Sequence, residues 1–389
     1  MSAFKDRVKR PLLRGLACLG RKIGHFFDRP ASPSPPRHAV VIQLGGAGDV
    51  VRVFPLLEHL QAAYPQAQVT LLTNQGAELL DLYAGPRRPD YRLFDLRWPY
   101  ARKLREVAGL RRAAPDLVVS PVRGDGMLEC AVLAWLTGAP HRVGFEQEGA
   151  GFLHTRKRSF SDESSILDQN LALLGLSSSE LRLRLRIPDA ARTFATEWYA
   201  RHVPPGGARV VIHPWASSHG EFRAWPLTRY AELVRGIVAR HQAVVVVLGG
   251  PEEARRDTGW LDGLSSTTVF DLAGAVRIDE AAALIGSCDL FVGNDSGLLH
   301  LALTAEVPAI AVFGATSPVQ VFHTSRRAIA VVSGVPCQPC HRHQPFFNYR
   351  CDYRFRCLTE VPVSAVLREV ARVLPAIGGE LAEMNLPGR

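Results

Sequence analysis

The stretch VVIQLGGAGDVVRVFPLLEHL, residues 40–60, starts as an unbroken apolar run, bends through Gly45, Gly46 and Gly48, and continues with helical apolar spacing. Strand, tight loop and helix in that order form the opening unit of a parallel sheet wrapped by helices. One carboxylate, Asp49, sits at the bend. A dinucleotide-binding loop needs G-x-G-x-x-G at this place; counted from Gly46 and Gly48, the third glycine falls where Val51 stands, so the fingerprint is incomplete. A carboxylate at a helix start is stabilised by the helix dipole but repels a cofactor phosphate. Asp49 is therefore either a helix N-cap or a group with chemistry of its own.

The same rhythm extends outward. Strands are predicted at 38–44, 68–74 and 116–122, then at HRVGF, with a buried helix around MLECAVLAWLTG and another at LDQNLALLGL. After a stretch without a clear strand, the rhythm restarts at 209–214, 243–250, 267–274, 288–294 and 308–314. Strands this rich in β-branched residues imply a sheet covered on both faces. The expected fold is α/β, two Rossmann-like doubly wound parallel-sheet domains facing a cleft, with ligands at the carboxyl ends of the strands. The expected division is 1–37 as arm and linker, 38–195 and 205–360 as the two domains, and 361–389 as a C-terminal helix and tail. A length of 389 residues accommodates two domains.

Charge is concentrated at one end. Residues 1–37 hold nine Lys/Arg against Asp6 and Asp28, a net +7 of the chain's +9, which leaves +2 for the rest. A nucleic-acid partner is therefore not expected from the overall charge. Within the arm, Leu12, Leu16, Leu19, Ile23 and Phe27 recur at helical spacing, and Pro11 suits a first turn. Such a basic amphipathic helix in residues 1–29 either contacts an anionic inner-membrane surface or packs on its own domain. RPASPSPPRH then reads as an extended linker. No apolar run approaches the roughly 20 residues that span a bilayer, and no secretory signal is expected. Seven cysteines in a chain this long point to a reducing, cytoplasmic compartment.

Three further stretches carry polar groups at strand ends. In DLFVGNDSGLLHLALTAEVPAIAVFGATSP a strand ends at Asn294, followed by Asp295, Ser296 and Gly297 and a helix bearing His300 in its first turn. Free amides at a helix start bind phosphate, Gly297 permits close approach, and Ser296 offers a hydroxyl. In HPWASSHGEFRAWP, Ser217, Ser218 and Arg223 lie between a strand and a helix, where an arginine could clamp a diphosphate as charge leaves a reacting sugar. In VVVLGGPEEARR, Glu252 and Glu253 follow a strand and a Gly-Gly turn, a common place for a carboxylate on ribose hydroxyls. The plain alternatives are a capped helix, a solvated arginine and ordinary acids in a first helical turn.

Taken in order, VVIQLGGAGDVVRVFPLLEHLQAAYP, HPWASSHGEFRAWP, GGPEE and VGNDSGLLHLALTAEVPAIAVFGATSP resemble the motifs of glycosyltransferase family 9, which includes ADP-heptose:lipopolysaccharide heptosyltransferases. The resemblance covers about residues 38 to 325. It implies a GT-B fold and inverting transfer from a nucleotide-sugar donor such as ADP-heptose, with no cofactor or catalytic metal, to a lipopolysaccharide-core or related glycan. Carried over, Asp49 matches the general base, and Gly45, Gly46 and Gly48 the acceptor-side loop. Arg223 stands where lysine is usual. Asp295, Ser296, Gly297 and His300 match the nucleotide-diphosphate loop, and Glu252 or Glu253 the ribose contact. Gly45 and Gly46 replace common serines, Gln43 an arginine, and Trp215 a glycine.

Near the end, CQPCHRHQPFFNYRCDYRFRC places Cys337, Cys340, Cys351 and Cys357 at metal-finger spacing with a short central gap. The resemblance extends here to autotransporter heptosyltransferases with a four-cysteine iron finger. Two readings remain open, a structural Zn or Fe and free, oxidisable thiols, and the cluster also permits a protein acceptor as the alternative to a glycan.

Overall fold

The computed structural model describes residues 2–30, 34–177, 182–216, 221–256, 259–264, 266–322, 327–342 and 351–374. It divides into two compact units, residues 1–184 with 342–350, and 185–341 with 351–389.

The first unit is built on a six-stranded sheet: β1 (His38–Gln43), β2 (Gln68–Thr73), β3 (Asp90–Leu93), β4 (Leu117–Ser120), β5 (His141–Phe145) and β6 (Arg156–Arg158). All neighbours are parallel, in the order β3-β2-β1-β4-β5-β6. In the central pairs His38 stands opposite Gln68 and Ala39 opposite Leu117. Val40, Ile42, Leu72 and Val118 pack on Cys130, Leu133 and Ala134 of the helix Met127–Leu136.

The second unit repeats the winding with β7 (Ala208–His213), β8 (Ala243–Val247), β9 (Val269–Asp271), β10 (Leu290–Asn294), β11 (Ala309–Val312) and β12 (Ala328–Val331). Its order is β12-β11-β10-β7-β8-β9, again parallel throughout. Val210, Ile212, Val245, Leu290 and Ile310 form its core with Trp225, Tyr230 and Val366. The helix Asp189–His202 packs within this unit, where the Tyr199 hydroxyl donates to Leu284 O at 2.9 Å.

Each sheet thus starts at its centre, winds one way, and returns to the other side of its first strand. The reversal lies between β1 and β4 in one unit and between β7 and β10 in the other, and it opens a crevice at the carboxyl ends of those strands. The expected central strands are all present. The edge strands β3, β6 and β12 were not expected. DYRL and RKR are short and half-exposed, so neither carries the apolar run that marks a buried strand. AIAV is apolar but only four residues long.

The arm forms a helix, Ser2–Ile23, and a 3-10 turn, Gly24–Phe27, that pack on the first unit. The seam is made of small residues rather than leucines. Ala17, Gly20 and Gly24 are buried, and a Cβ on Gly20 would lie 2.4 Å from the Phe152 ring. Phe27 meets Phe152 edge-on, Arg29 N donates to Thr155 O at 3.0 Å, and Lys157 pairs with Asp28. Leu12, Leu16, Leu19 and Phe26 remain exposed. Among the described residues no helix is long and apolar enough to cross a membrane.

Candidate active site

At the switch point of the first sheet, the loop leaving β1 runs into a short helix, Ala47–Val51. Gly46 is its N-cap, so Asp49 is not the cap: it holds the third helical position, and its carboxylate reaches back to accept from Gly46 N–H at 3.0 Å. This is the returning half of a capping box. The glycines are explained by that fold-back, since a Cβ on Gly45 would stand 2.7 Å from Asp49 Oδ2. Gly48 is buried in the helix. Gln43 Nε2 donates to Asp49 O at 3.3 Å and Gln75 Nε2 to Gly45 O at 2.8 Å, which fix the loop backbone.

Two guanidinium groups converge on the carboxylate. Arg52, one turn on, pairs directly with Asp49 Oδ1. Arg123, from the loop after β4, brings Nη2 to 3.9 Å of the same oxygen. The Arg52 and Arg123 side chains are only 8% and 5% exposed, against 32% for Asp49. Arg123 is held in turn by Asn170, whose Oδ1 accepts from Nη1 at 2.7 Å and which is fully buried. Burial favours the neutral acid, but the charges of Arg52 and Arg123, with the hydrogen bonds from Arg52 and Gly46, outweigh it and hold Asp49 well below the ordinary carboxylate range. Neither arginine was singled out in the sequence. Arg52 had a local signal, its i,i+3 spacing from Asp49; Arg123 is brought in only by the β1–β4 adjacency.

At the switch point of the second sheet, β10 ends at Asn294, and Asp295 and Ser296 lead into the helix Gly297–Thr304. Ser296 is the N-cap, its hydroxyl accepting from Leu299 N–H at 3.4 Å. Asp295, Ser296 and His300 are all buried. Arg223, in the loop leaving β7, approaches Asp295 with Nη1 3.7 Å from Oδ2. The structure therefore brings Arg223, Asp295, Ser296, Gly297 and His300 to neighbouring strand ends of one sheet.

Asn294, marked in the sequence only as the end of a strand, organises this corner. Its Oδ1 accepts from Trp225 N at 3.1 Å and from the Tyr230 hydroxyl at 3.0 Å, while Nδ2 donates to Pro214 O at 2.8 Å. One buried amide thus ties both ends of the Arg223 loop to β10. Ser217 and Ser218 lie outside the described residues. Glu253 Oε2 accepts from Gly250 N–H at 2.6 Å, so this carboxylate turns back on its own loop, while Glu252 is exposed.

The cysteine segment buttresses the same unit. Gln338 Nε2 donates to Phe313 O and Gly314 O at 2.8 and 2.7 Å, and Cys340 N and His341 N both donate to Ala315 O. Cys337, Cys340, Cys351 and Cys357 form no disulfide among the described residues. Burial, then the neighbouring Cys340, Cys351 and Cys337, push Cys357 up to about 11. Among the described residues, however, no group of three or more His, Cys, Asp or Glu side chains is arranged to hold a metal ion. The zinc or iron reading therefore gains no support.

Two doubly wound sheets, each with polar and cationic groups at its switch point, define a GT-B-type sugar-nucleotide transferase architecture. The family model for glycosyltransferase family 9 (heptosyltransferase) matches residues 109–349. The chain is 25% identical over 352 residues to lipopolysaccharide heptosyltransferase 3 of Escherichia coli, covering 85% of this chain and 97% of that protein. It is 23% identical over 300 residues to lipopolysaccharide heptosyltransferase 2 of Salmonella typhimurium, covering 72% and 83%. The solved structure of E. coli ADP-heptose LPS heptosyltransferase II shares the fold at a TM-score of 0.63 and 21% identity, over 86% of this chain and 98% of that one. The chain belongs to glycosyltransferase family 9 and is a glycosyltransferase.

Proposed function

We propose that the enzyme transfers a heptose, with inversion, from ADP-heptose to a lipopolysaccharide-core glycan. The substrates are suggested by the activities of the heptosyltransferase relatives. The observation that carries the reaction type is the separation of chemical roles between the two switch points. The first unit offers an ionised carboxylate, Asp49, to take the proton of the acceptor hydroxyl. The second offers Arg223, the Ser296-capped helix start and Gly297 to the departing diphosphate. On this reading the first unit receives the acceptor and the second the nucleotide sugar, with His300 and Ser217, Ser218, Glu252 or Glu253 around the nucleotide. Neither role requires a cofactor.

A carboxylate as acidic as Asp49 is a weak base towards a resting sugar hydroxyl. It suffices when proton transfer is late, because the hydroxyl becomes strongly acidic once its oxygen has begun to bond to an oxocarbenium-like carbon.

The arm supplies a further partner. Its small-residue seam is occupied, and its outward Leu12, Leu16 and Leu19 lie beside basic residues. An anionic membrane surface satisfies both features, which would hold the enzyme peripherally beside a lipid-linked acceptor.

The test is Asp49→Asn, assayed by product mass with ADP-heptose and core acceptor, alongside the thermal shift produced by ADP. Loss of transfer with the ADP shift retained is expected. Full activity in this variant overturns the assignment of the base.

A further inference from the structure

Among the described residues, most ion pairs join one cation to one carboxylate at the surface. The Asp49 site is different: two guanidinium groups, both more than nine-tenths buried, serve a single carboxylate that is itself a third exposed. Burying a guanidinium costs several kcal/mol of hydration unless its partners restore it. A structural purpose would be met by one pair. Here a second arginine is brought from another strand end, and a fully buried asparagine supports it. All of this stands where open α/β sheets bind their ligands.

We infer that Arg52 and Arg123, the latter supported by Asn170, are positioning residues for sugar transfer, fixing the ionised Asp49 carboxylate in one orientation above the carboxyl end of β1. The inference rests on the reading of Asp49 as the base. Arg52 acts from the same short helix and takes Oδ1, while Gly46 N–H takes Oδ2. The carboxylate is therefore gripped at both oxygens, and a rotation about its side chain would break one contact or the other. Arg123 approaches Oδ1 from the β4 side. The charged groups that act on Asp49 are these two arginines, and Asp162 acts in turn on Arg123.

Two arginines also explain the order of events. The two cations together oppose protonation of Asp49 throughout the resting state, with Asp162 acting in turn on Arg123. The proton is accepted only when the acceptor oxygen has become cationic by bonding to the sugar. The same arrangement keeps Asp49 free of adventitious protons from solvent, so that the acid limb of the rate profile is expected to lie low.

The test compares wild type with Arg123→Gln, Arg52→Gln and the two lysine variants. Each is followed by the pH dependence of kcat/KM with ADP-heptose and core acceptor. In parallel, carbon-13 NMR titrates the Asp49 carboxyl, identified by its loss in Asp49→Asn. Removing either guanidinium is expected to raise the acid-limb pKa and the titration midpoint together by at least about one unit, the usual effect of an arginine beside an aspartate. The lysine variants are expected to recover most of the shift but less of kcat, because one ammonium restores charge without the fork geometry. A fall in activity with limb and midpoint unmoved gives the arginines a merely structural role and overturns the inference. A raised midpoint in an enzyme whose Asp49→Asn form stays active instead removes Asp49 as the base while leaving the pairing intact. Thermal midpoints and the ADP shift report whether each variant is folded.

Discussion

The exposed leucines of the arm permit a quantitative prediction of membrane binding. Leu12, Leu16 and Leu19 are 67%, 42% and 50% exposed. Fully burying a leucine contributes about 1.5–3 kcal/mol, so at these exposures each has about 1 kcal/mol still to gain and the three together about 3 kcal/mol. Arg14, Arg21 and Lys22 lie on the same helix. Near an anionic surface each contributes about 1 kcal/mol, another 3 kcal/mol in total. The sum, about 6 kcal/mol, corresponds to half-binding at a lipid concentration on the order of tens of micromolar.

The assay is co-sedimentation of the 389-residue protein with sucrose-loaded vesicles, neutral or containing anionic lipid. Replacing Leu12, Leu16 and Leu19 together by serine is expected to weaken binding to anionic vesicles about 100-fold. The thermal midpoint should barely change, because none of the three lies in the buried seam. Replacing Arg14, Arg21 and Lys22 by glutamine should weaken it comparably on anionic vesicles and leave neutral vesicles unaffected. About 1 M salt, where the screening length is about 3 Å, should reduce wild type to the level of that variant. Gly20→Leu is the control for docking, since any Cβ there must displace Phe152. Wild-type binding that is equal on neutral and anionic vesicles, or unchanged in the serine variant, refutes the reasoning. Concentration-dependent self-association that disappears in the serine variant assigns the stripe to a second copy of the chain instead.

Two other outcomes follow from the site geometry. Asn294→Ala leaves the Trp225 amide and the Tyr230 hydroxyl without their Asn294 Oδ1 acceptor and is expected to cost about 3 kcal/mol of stability, read by urea unfolding; a loss under about 1 kcal/mol would mean that the Arg223 loop is held by other contacts. Gly45→Ala places a methyl 2.7 Å from Asp49 Oδ2 and is expected to lower kcat at least about tenfold with the fold intact, as misplaced catalytic groups do; unchanged kcat would show that the fold-back of Asp49 is dispensable.

Much of the architecture was legible in the sequence, for a physical reason. A strand buried on both faces must be apolar throughout, so β1, β7, β8 and β10 announce themselves. An edge strand such as β6 has no such obligation, and RKR carries no trace of its pairing. The arm shows a different limit. Leucines at helical spacing left open a membrane face or a packing face, and the arm docks instead through Ala17, Gly20 and the turn residue Gly24, with Leu12, Leu16 and Leu19 exposed. Periodicity reports which residues share a face, and leaves open which face is covered.

Asp49 shows the same division at the level of chemistry. Gly46, not Asp49, is the N-cap, yet the Asp49 carboxylate still serves the helix start, so that local role is compatible with the proposed chemical one. The carboxylate satisfies the Gly46 N–H at the helix start, and that contact leaves Oδ1 facing Arg52 and Arg123. A substitution that keeps an acceptor for the Gly46 N–H, Asp49→Asn, therefore retains the local backbone but places a neutral amide beside two buried cations. Leaving buried charges unpaired is strongly destabilising. Loss of transfer in that variant is informative only alongside its ADP shift, and the arginine variants carry the sharper information because they change the charge around the carboxylate without removing it.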